Sequence, residues 1–295
     1  MAITFIGSGT GSAVSGGDPT VILPGGVAAG DLIILAYAIG DNDDVDFDMS
    51  VVSPSGYAEL ADLFSNDDNE ANLGVYWKIA GVGEANPVLD GLGGTDAAVA
   101  AACLVFRGTH ATTPIDTEPI ATATGLDTAH PDPPSHDHGN PSGVWTVIVG
   151  ACGRIGGSGA FTNPTGYTTN AVSIGSDDTI DVCLGMGYNT APADPENPGV
   201  MTHSLADNVA YAWAAATLAL RPAATTPTRG RISWAELETP FVPTRGRVSW
   251  AELEVPAVPT RGRLSWSEFE VPDVGAAGPG NRFMSRIGIH IGPKI

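Results

Sequence analysis

An acidic run in the first fifth of the chain holds the densest set of potential metal ligands. Its carboxylates are those of Asp41, Asp43, Asp44, Asp46 and Asp48. Hard cations such as Ca²⁺ bind several carboxylate oxygens, which one loop can supply. The run lacks the turn glycine and the distal glutamate of an EF-hand, so a solvated acidic loop is the alternative. We therefore predict that the chain needs no cofactor. The candidate ion is calcium, and its candidate ligands are Asp41, Asp43, Asp44 and Asp46.

A second candidate metal site lies in a proline-rich segment. His136 and His138 flank Asp137 there, and a His-X-His pair can ligate zinc or nickel. The neighbouring prolines make a compact site feasible but supply no fourth ligand. An exposed loop is therefore the favoured interpretation.

The motifs of common enzyme classes are missing from the sequence. It contains no Gly-X-Ser-X-Gly elbow, no His-Glu-X-X-His and no phosphate-binding loop with its lysine. Residues 7–12 (GSGTGS) resemble such a loop only in composition, and we predict a glycine-rich turn there. The sequence therefore predicts a protein that is not an enzyme.

A sixteen-residue unit occurs three times near the C-terminal end, and this repetition predicts an assembly element. The copies read PTRGRISWAELETP from Pro227, PTRGRVSWAELEVP from Pro243 and PTRGRLSWSEFEVP from Pro259. Such a unit is too short to bury its own core, so it becomes ordered by stacking on its copies or docking on a partner. A flexible stalk is the alternative, but disordered linkers are poor in aromatic residues. The predicted assembly residues are Arg229, Arg231, Trp234, Glu236, Arg245, Arg247, Trp250, Glu252, Arg261, Arg263, Trp266 and Glu268.

The elements that carry these segments are predicted to be strands. The 295 residues include 38 Gly and 23 Pro, and long helical patterns are missing. Residues 31–39 and 143–151 are continuous apolar runs, typical of strands that are covered on both faces. The run at 96–107 could form a buried helix, but its valine, cysteine and phenylalanine favour a strand.

A faint long repeat divides the region before the sixteen-residue units. Five landmarks recur in the same order with an offset of 110 or 111, among them Pro54–Tyr57 as Pro164–Tyr167. We interpret residues of about 25–110 and 140–222 as copies of one β unit. Four or five short strands bury little apolar surface alone, which favours one joint sandwich over two separate domains.

The predicted architecture is all-β, with an antiparallel, jelly-roll-like β-sandwich built from two similar units. We call residues 1–222 the body and residues 223–274 the repeat segment. The three units of the repeat segment are predicted to be short strands. Residues 275–295 are predicted to form a C-terminal strand-like tail.

Charge is divided unevenly along the chain. The body has 26 acidic and four basic residues, a net charge of −22, whereas residues 223–295 have nine basic and seven acidic residues. Nucleic acid and anionic membranes repel an acidic body, since phosphate binding needs clustered cations. No apolar stretch reaches about 18 residues, which predicts no membrane-inserted helix. Three cysteines without short spacing predict buried thiols, and the first residues lack a secretory signal, which predicts folding in a cytoplasm.

Several segments resemble proteins of one family. The opening ITFIGSGTGSAVSGGDPTVILPGGVAAGDLIILA, with PSGYAELAD and VFRGTH, resembles β-sandwich proteins encoded among the structural genes of tailed bacteriophages. The RGRxSWAELExP units look like C-terminal segments of such virion proteins. The resemblance implies a surface, decoration or tail-associated virion protein without catalytic residues, made in the host cytoplasm.

Two kinds of partner follow from these patterns. The resemblance implies binding to other virion proteins, and the repeats suggest binding between copies of the chain. The alternative is a carbohydrate-binding or receptor-binding module for a host surface glycan, because loops with Trp, Tyr and Asp suit sugar stacking and hydroxyl bonding.

Overall fold

A computed structural model describes twelve stretches of the chain. They are residues 2–14, 17–40, 45–66, 70–91, 97–116, 120–127, 131–139, 142–154, 161–168, 172–176, 181–203 and 211–224. These residues form strands and connecting segments with no helix among them, which confirms the all-β class. Accordingly, the described stretches include no helix that could span a membrane.

Fourteen strands are present in the described stretches. They are β1 (Thr4–Ala13), β2 (Leu32–Gly40), β3 (Ser50–Ser53), β4 (Ala58–Ser65), β5 (Ala71–Ile79), β6 (Val88–Asp90), β7 (Ala98–Arg107), β8 (Ala121–Asp127), β9 (Trp145–Arg154), β10 (Phe161–Thr162), β11 (Val172–Ser176), β12 (Asp181–Asn189), β13 (Thr202–His203) and β14 (Tyr211–Leu220).

Ten of these strands form two five-stranded antiparallel sheets. The order is β1-β7-β2-β5-β4 in the first sheet and β11-β12-β9-β14-β8 in the second. Counted from its opposite edge, the second sheet has the order β8-β14-β9-β12-β11. In this order its strands correspond one by one to β1, β7, β2, β5 and β4 of the first sheet. Each sheet is built from one continuous part of the chain. The jelly-roll connectivity expected from the sequence is therefore wrong, because a jelly roll distributes its Greek-key strands over both sheets.

The two sheets pack face to face around one apolar interior. Leu32 and Ile34 of β2 point into it from the first sheet, and Val147 and Val149 of β9 point into it from the second. The intervening residues of β2, such as Ile33, are buried on the outer face beneath other segments of the chain. Burial on both faces explains why these strands appear as continuous apolar runs in the sequence.

An aromatic cluster joins the two sheets at one end of the interior. The rings of Trp145 and Tyr188, both from the second sheet, stack with centroids 5.3 Å apart and planes 5° apart. Phe106 from the first sheet meets both rings edge-on, at 6.1 and 5.7 Å. Such geometries add to the free energy gained by burying the aromatic surface.

Residues 7–12 belong to the edge strand β1 and do not form the predicted glycine-rich turn. The following segment crosses the outer face of this strand, and Ile22 N donates to Thr10 O at 3.0 Å. A Cβ atom on Gly9 would lie 1.9 Å from Ile22 O, and one on Gly11 would lie 2.4 Å from Thr20 O. Glycine therefore lets two backbones approach more closely than any side chain would permit.

Matched contacts accompany the matched strand order. Gly56 and Gly166, from the two copies of the Pro-X-Gly-Tyr landmark, have positive φ angles of 96° and 95°. An arginine near the end of the second strand of each sheet, in this matched order, binds an aspartate, although the two aspartates precede strands in different positions, β2 and β8. Arg107 donates to both carboxylate oxygens of Asp31 at 2.8 Å, and Arg221 donates through Nε to Asp116.

Each sheet is covered on its outer face by the segment that precedes its central strand. In the first unit, Val21 of this segment shares an apolar cluster with Ile33 of β2, and Leu89 N of β6 donates to Pro19 O at 3.1 Å. In the second unit, Pro131 lies against Gly150 of β9, and Met201 N donates to Pro131 O at 2.9 Å. The proline-rich segment therefore packs against β-structure in the same manner as the segment before β2.

Candidate functional site

The predicted assembly residues, Arg229 to Glu268 of the repeat segment, lie outside the described residues. The same holds for Asp41, Asp43 and Asp44 of the acidic run. The other metal-site candidates, Asp46 and the two histidines of the proline-rich segment, are described.

An acidic cleft of about 450 Å³ opens on the outer side of the first sheet. Strand β4 contributes Glu59 and Asp62, β5 contributes Tyr76, and the chain leading into β3 contributes Asp48. The complete lining consists of Asp48, Met49, Ser50, Glu59, Asp62, Tyr76, Asp90 and Gly91. Four carboxyl groups on one concave surface make the cleft attractive to cations and repulsive to anions.

Hydrogen bonds to the sheet hold the chain segment that forms one side of this cleft. Met49 N donates to Tyr37 Oη at 3.1 Å, and Tyr76 Oη donates to Met49 O at 2.7 Å. Two residues earlier, Phe47 N donates to Asn72 Oδ1 at 3.1 Å. The backbone is thus anchored at Phe47 and Met49, and Asp48 between these anchors is held beside the cleft.

Asp46, Asp48 and Asp62 form an exposed carboxylate triad, in which one oxygen of each lies within 4.8 Å of the other two. Partial burial, a hydrogen bond with Asp48 and the neighbouring negative charges raise the pKa of Asp62 to about 7. Partial burial and the charge of Asp48 also raise the pKa of Asp46. Near neutral pH the repulsion between the three carboxylates therefore favours a state in which one of them keeps its proton. A divalent cation bound between them could relieve the same repulsion.

The structure groups different acids from those that the sequence spacing suggested. Among the predicted candidates, Asp46 belongs to the triad. Asp62 comes from β4, where it is the register partner of Gly74 on β5. No spacing rule relates a strand residue to a loop that precedes it by more than a dozen positions, so the sequence pattern does not reveal Asp62 or Glu59 as members of this site.

Replacing Asp62 with asparagine is expected to raise the free energy of unfolding at pH 8. Because its folded pKa is raised, wild-type Asp62 stabilises the fold most below its ordinary pKa of 3.8, and this stabilisation declines as pH rises towards about 7. Solvent screens the exposed carboxylate, so we expect a gain of about 1 kcal/mol. Urea denaturation of both proteins between pH 4 and pH 8 measures the difference.

Asp132→Asn, at an exposed acid outside the cleft, is the matched control and should leave the pH profile unchanged. Calcium binding by the triad would raise the wild-type midpoint at pH 8, with a smaller rise in the Asp62→Asn protein. A loss of stability in Asp62→Asn at pH 8 would contradict the electrostatic repulsion on which this expectation rests.

The histidines of the proline-rich segment are buried, each with 5 % of its surface exposed. His136 exchanges backbone hydrogen bonds of 2.9 and 2.8 Å with Glu196. His138 Nε2 lies 2.7 Å from Ala193 O, and its Nδ1 lies 3.9 Å from Asp194 Oδ1. The expectation of an exposed loop is wrong, because this segment pairs with the chain that follows β12 and both imidazoles are buried there. Burial, with the adjacent His138, lowers the pKa of His136.

Potential metal ligands converge in one place within the described stretches. The carboxylate triad is the one group of three ligand side chains that these stretches bring within 4.8 Å. To hold zinc or nickel, the histidine pair would therefore need further ligands from elsewhere.

The cysteines offer no accessible nucleophile, because Cys103, Cys152 and Cys183 are all buried. Burial raises the pKa of the Cys103 thiol to about 12, so its reactive thiolate form is rare near neutral pH. The cleft is thus the candidate site with the clearest chemistry, because its carboxylates are ligands of the kind that hard cations prefer. Comparisons with protein-family models, with curated proteins and with solved structures found no match to this chain.

Proposed function

We propose that the chain is a non-enzymatic structural component of a phage virion. The body is a β-sandwich of two similar units exposed on the particle. The repeat segment and the C-terminal tail attach it to other virion proteins or to copies of itself. The observation that carries this proposal is the threefold repeat, because evenly spaced tryptophans and arginines suit several equivalent docking surfaces.

The packing of the body supports this division of roles. All strands of both sheets belong to one compact unit, Met1–Gly230. The described parts of this unit bury three apolar clusters between the sheets and under their own covering segments, whereas Ile22, Val52 and Val82 are among the large apolar side chains that stay exposed. A body that covers its own sheet faces needs no partner in order to fold, which leaves the repeat segment to form assembly contacts.

The charge distribution supports the same arrangement. A net charge of −22 on the body disfavours non-specific association between bodies. The six arginines of the three units can form charge-assisted hydrogen bonds with carboxylates of a neighbouring chain. Calcium at the carboxylate triad is compatible with this role and is not required by it.

Deletion of residues 225–295, which keeps the hydrogen bond from Ala223 N to Gly108 O, tests the proposal. We expect the full chain to sediment with the particle or as an oligomer, and the truncated chain to remain monomeric with an unchanged melting temperature. Analytical ultracentrifugation measures the oligomeric state, and cryo-electron microscopy of the native particle locates the chain. Deletion of residues 275–295 alone separates the contribution of the tail. Equal incorporation of the truncated chain would contradict the proposal.

The alternative of a carbohydrate-binding module receives less support from the body. Sugar recognition commonly uses exposed aromatic ring faces. Every tryptophan and tyrosine in the described stretches is buried or half-buried: Trp77, Trp145, Trp213, Tyr37, Tyr57, Tyr76, Tyr167, Tyr188 and Tyr211. Binding of the full chain to a glycan array would favour this alternative.

A further inference from the structure

The second sheet places two cysteines directly opposite each other on neighbouring strands. Cys152 on β9 is the register partner of Cys183 on β12. Both belong to one apolar cluster on the outer face of the sheet, together with Phe161 and Met201. Their side chains therefore leave the sheet on the same side.

The strand geometry is compatible with a covalent bond between these side chains. Directly opposed residues of antiparallel strands have Cα atoms about 4.5–5.5 Å apart, and disulfides span Cα separations of about 4.4–6.8 Å. We propose that Cys152 and Cys183 form a cross-strand redox site, which closes to a disulfide in the presence of a small-molecule disulfide such as oxidised glutathione.

The reaction is a double thiol–disulfide exchange. The thiolate of one cysteine attacks a sulfur of oxidised glutathione, which releases one reduced glutathione and leaves a mixed disulfide. The second cysteine then attacks the protein sulfur of that intermediate and releases the other glutathione. The two protein thiols lose two protons and two electrons, and the electrons reduce the glutathione disulfide.

The position of the pair determines when oxidation can occur. Cys152 and Cys183 form the third pair from the end of the β9–β12 ladder, after Arg154–Asp181 and Gly153–Val182. With 1 % and 0 % of their surfaces exposed, the two cysteines meet an oxidant during folding or when the ladder end opens. Oxidation is therefore expected to be fast during refolding and slow in the folded chain.

Cys103 provides an internal control for specificity. It lies on β7 of the first sheet, where its register partners are Leu35 on β2 and Gly9 on β1. Cys103 thus has no cysteine opposite it in the ladder. The redox site rests on the register of the second sheet and does not depend on the proposed virion role.

Refolding the full chain in glutathione buffers tests this site. The reduced, denatured protein is diluted into buffers with increasing ratios of oxidised to reduced glutathione, remaining thiols are alkylated, and linked peptides are identified by mass spectrometry. We expect the Cys152–Cys183 link to dominate, with Cys103 alkylated in the same molecules. Cys103→Ala should retain the link, whereas Cys152→Ala and Cys183→Ala should lose it completely.

A second measurement uses protein that was never unfolded. The folded full chain is incubated with oxidised glutathione for increasing times, and the Cys152–Cys183 link should accumulate slowly in both the wild type and Cys103→Ala. Equal use of the three possible cysteine pairings on refolding would overturn the proposal. Folded chains that keep both thiols reduced at every glutathione ratio and at the longest incubation would also overturn it.

Discussion

Replacing Gly9 with alanine is expected to destabilise the body by about 3 kcal/mol, near the upper end of the range for overpacking substitutions. The added Cβ atom would lie 1.9 Å from Ile22 O and 2.9 Å from Ile22 C. These are backbone atoms, so no side-chain rotation can relieve the contact. The covering segment would have to move away from β1, which would also break the hydrogen bond from Ile22 N to Thr10 O.

Urea denaturation of the purified protein measures this loss, and Gly25→Ala is the matched control. A Cβ atom on Gly25 would meet no atom within 4 Å, so its replacement should leave the free energy of unfolding unchanged or slightly raised. If Gly9→Ala were as stable as Gly25→Ala, the close approach of the two backbones would be wrong. A phosphate-binding role for residues 7–12 would then need to be reconsidered.

Changing Trp234, Trp250 and Trp266 together to alanine is expected to abolish assembly while the body keeps its melting temperature. A buried tryptophan removes about 150–250 Å² from water, which corresponds to several kcal/mol at about 25 cal/mol per Å². Three such anchors offset much of the entropy lost when proline-rich segments become ordered. Exposed arginine–glutamate pairs contribute only about 0–1 kcal/mol each and would mainly set the register.

Incorporation into particles, or the sedimentation coefficient of the purified chain, measures the effect of this triple change. The corresponding change to phenylalanine is the control, because it retains a large apolar ring at each position and should preserve part of the assembly. Normal incorporation of the triple alanine protein would make the repeat segment a spacer instead of an assembly element.

The carboxylate triad and the cysteine pair arise from the same kind of long-range contact. Asp62 reaches the acidic run because β4 pairs with β5 and the preceding chain packs on the outer face of that pair. Cys152 and Cys183 meet because β9 pairs with β12 in one particular register. A shift of one residue in either register would turn side chains to the other face and disperse the group that depends on that register.

The amino-acid sequence by itself determined the features that depend on local pattern. Continuous apolar runs predicted strands with two covered faces, and the structure places β2 and β9 at such positions. Hydrophobic periodicity and turn residues act over a few positions, so they can be recognised without knowing the fold.

The tertiary structure decided the features that depend on contact between distant segments. Gly9 and Gly11 belong to a strand because β1 pairs with β7, and the chain near Ile22 crosses this strand too closely for a side chain. His136 and His138 are buried because their segment pairs with the distant chain that follows β12. Composition predicted a turn and an exposed loop at these places, since glycine and proline are common in both. Strand pairing and face-to-face packing join residues far apart in sequence, and neither composition nor spacing specifies those partners.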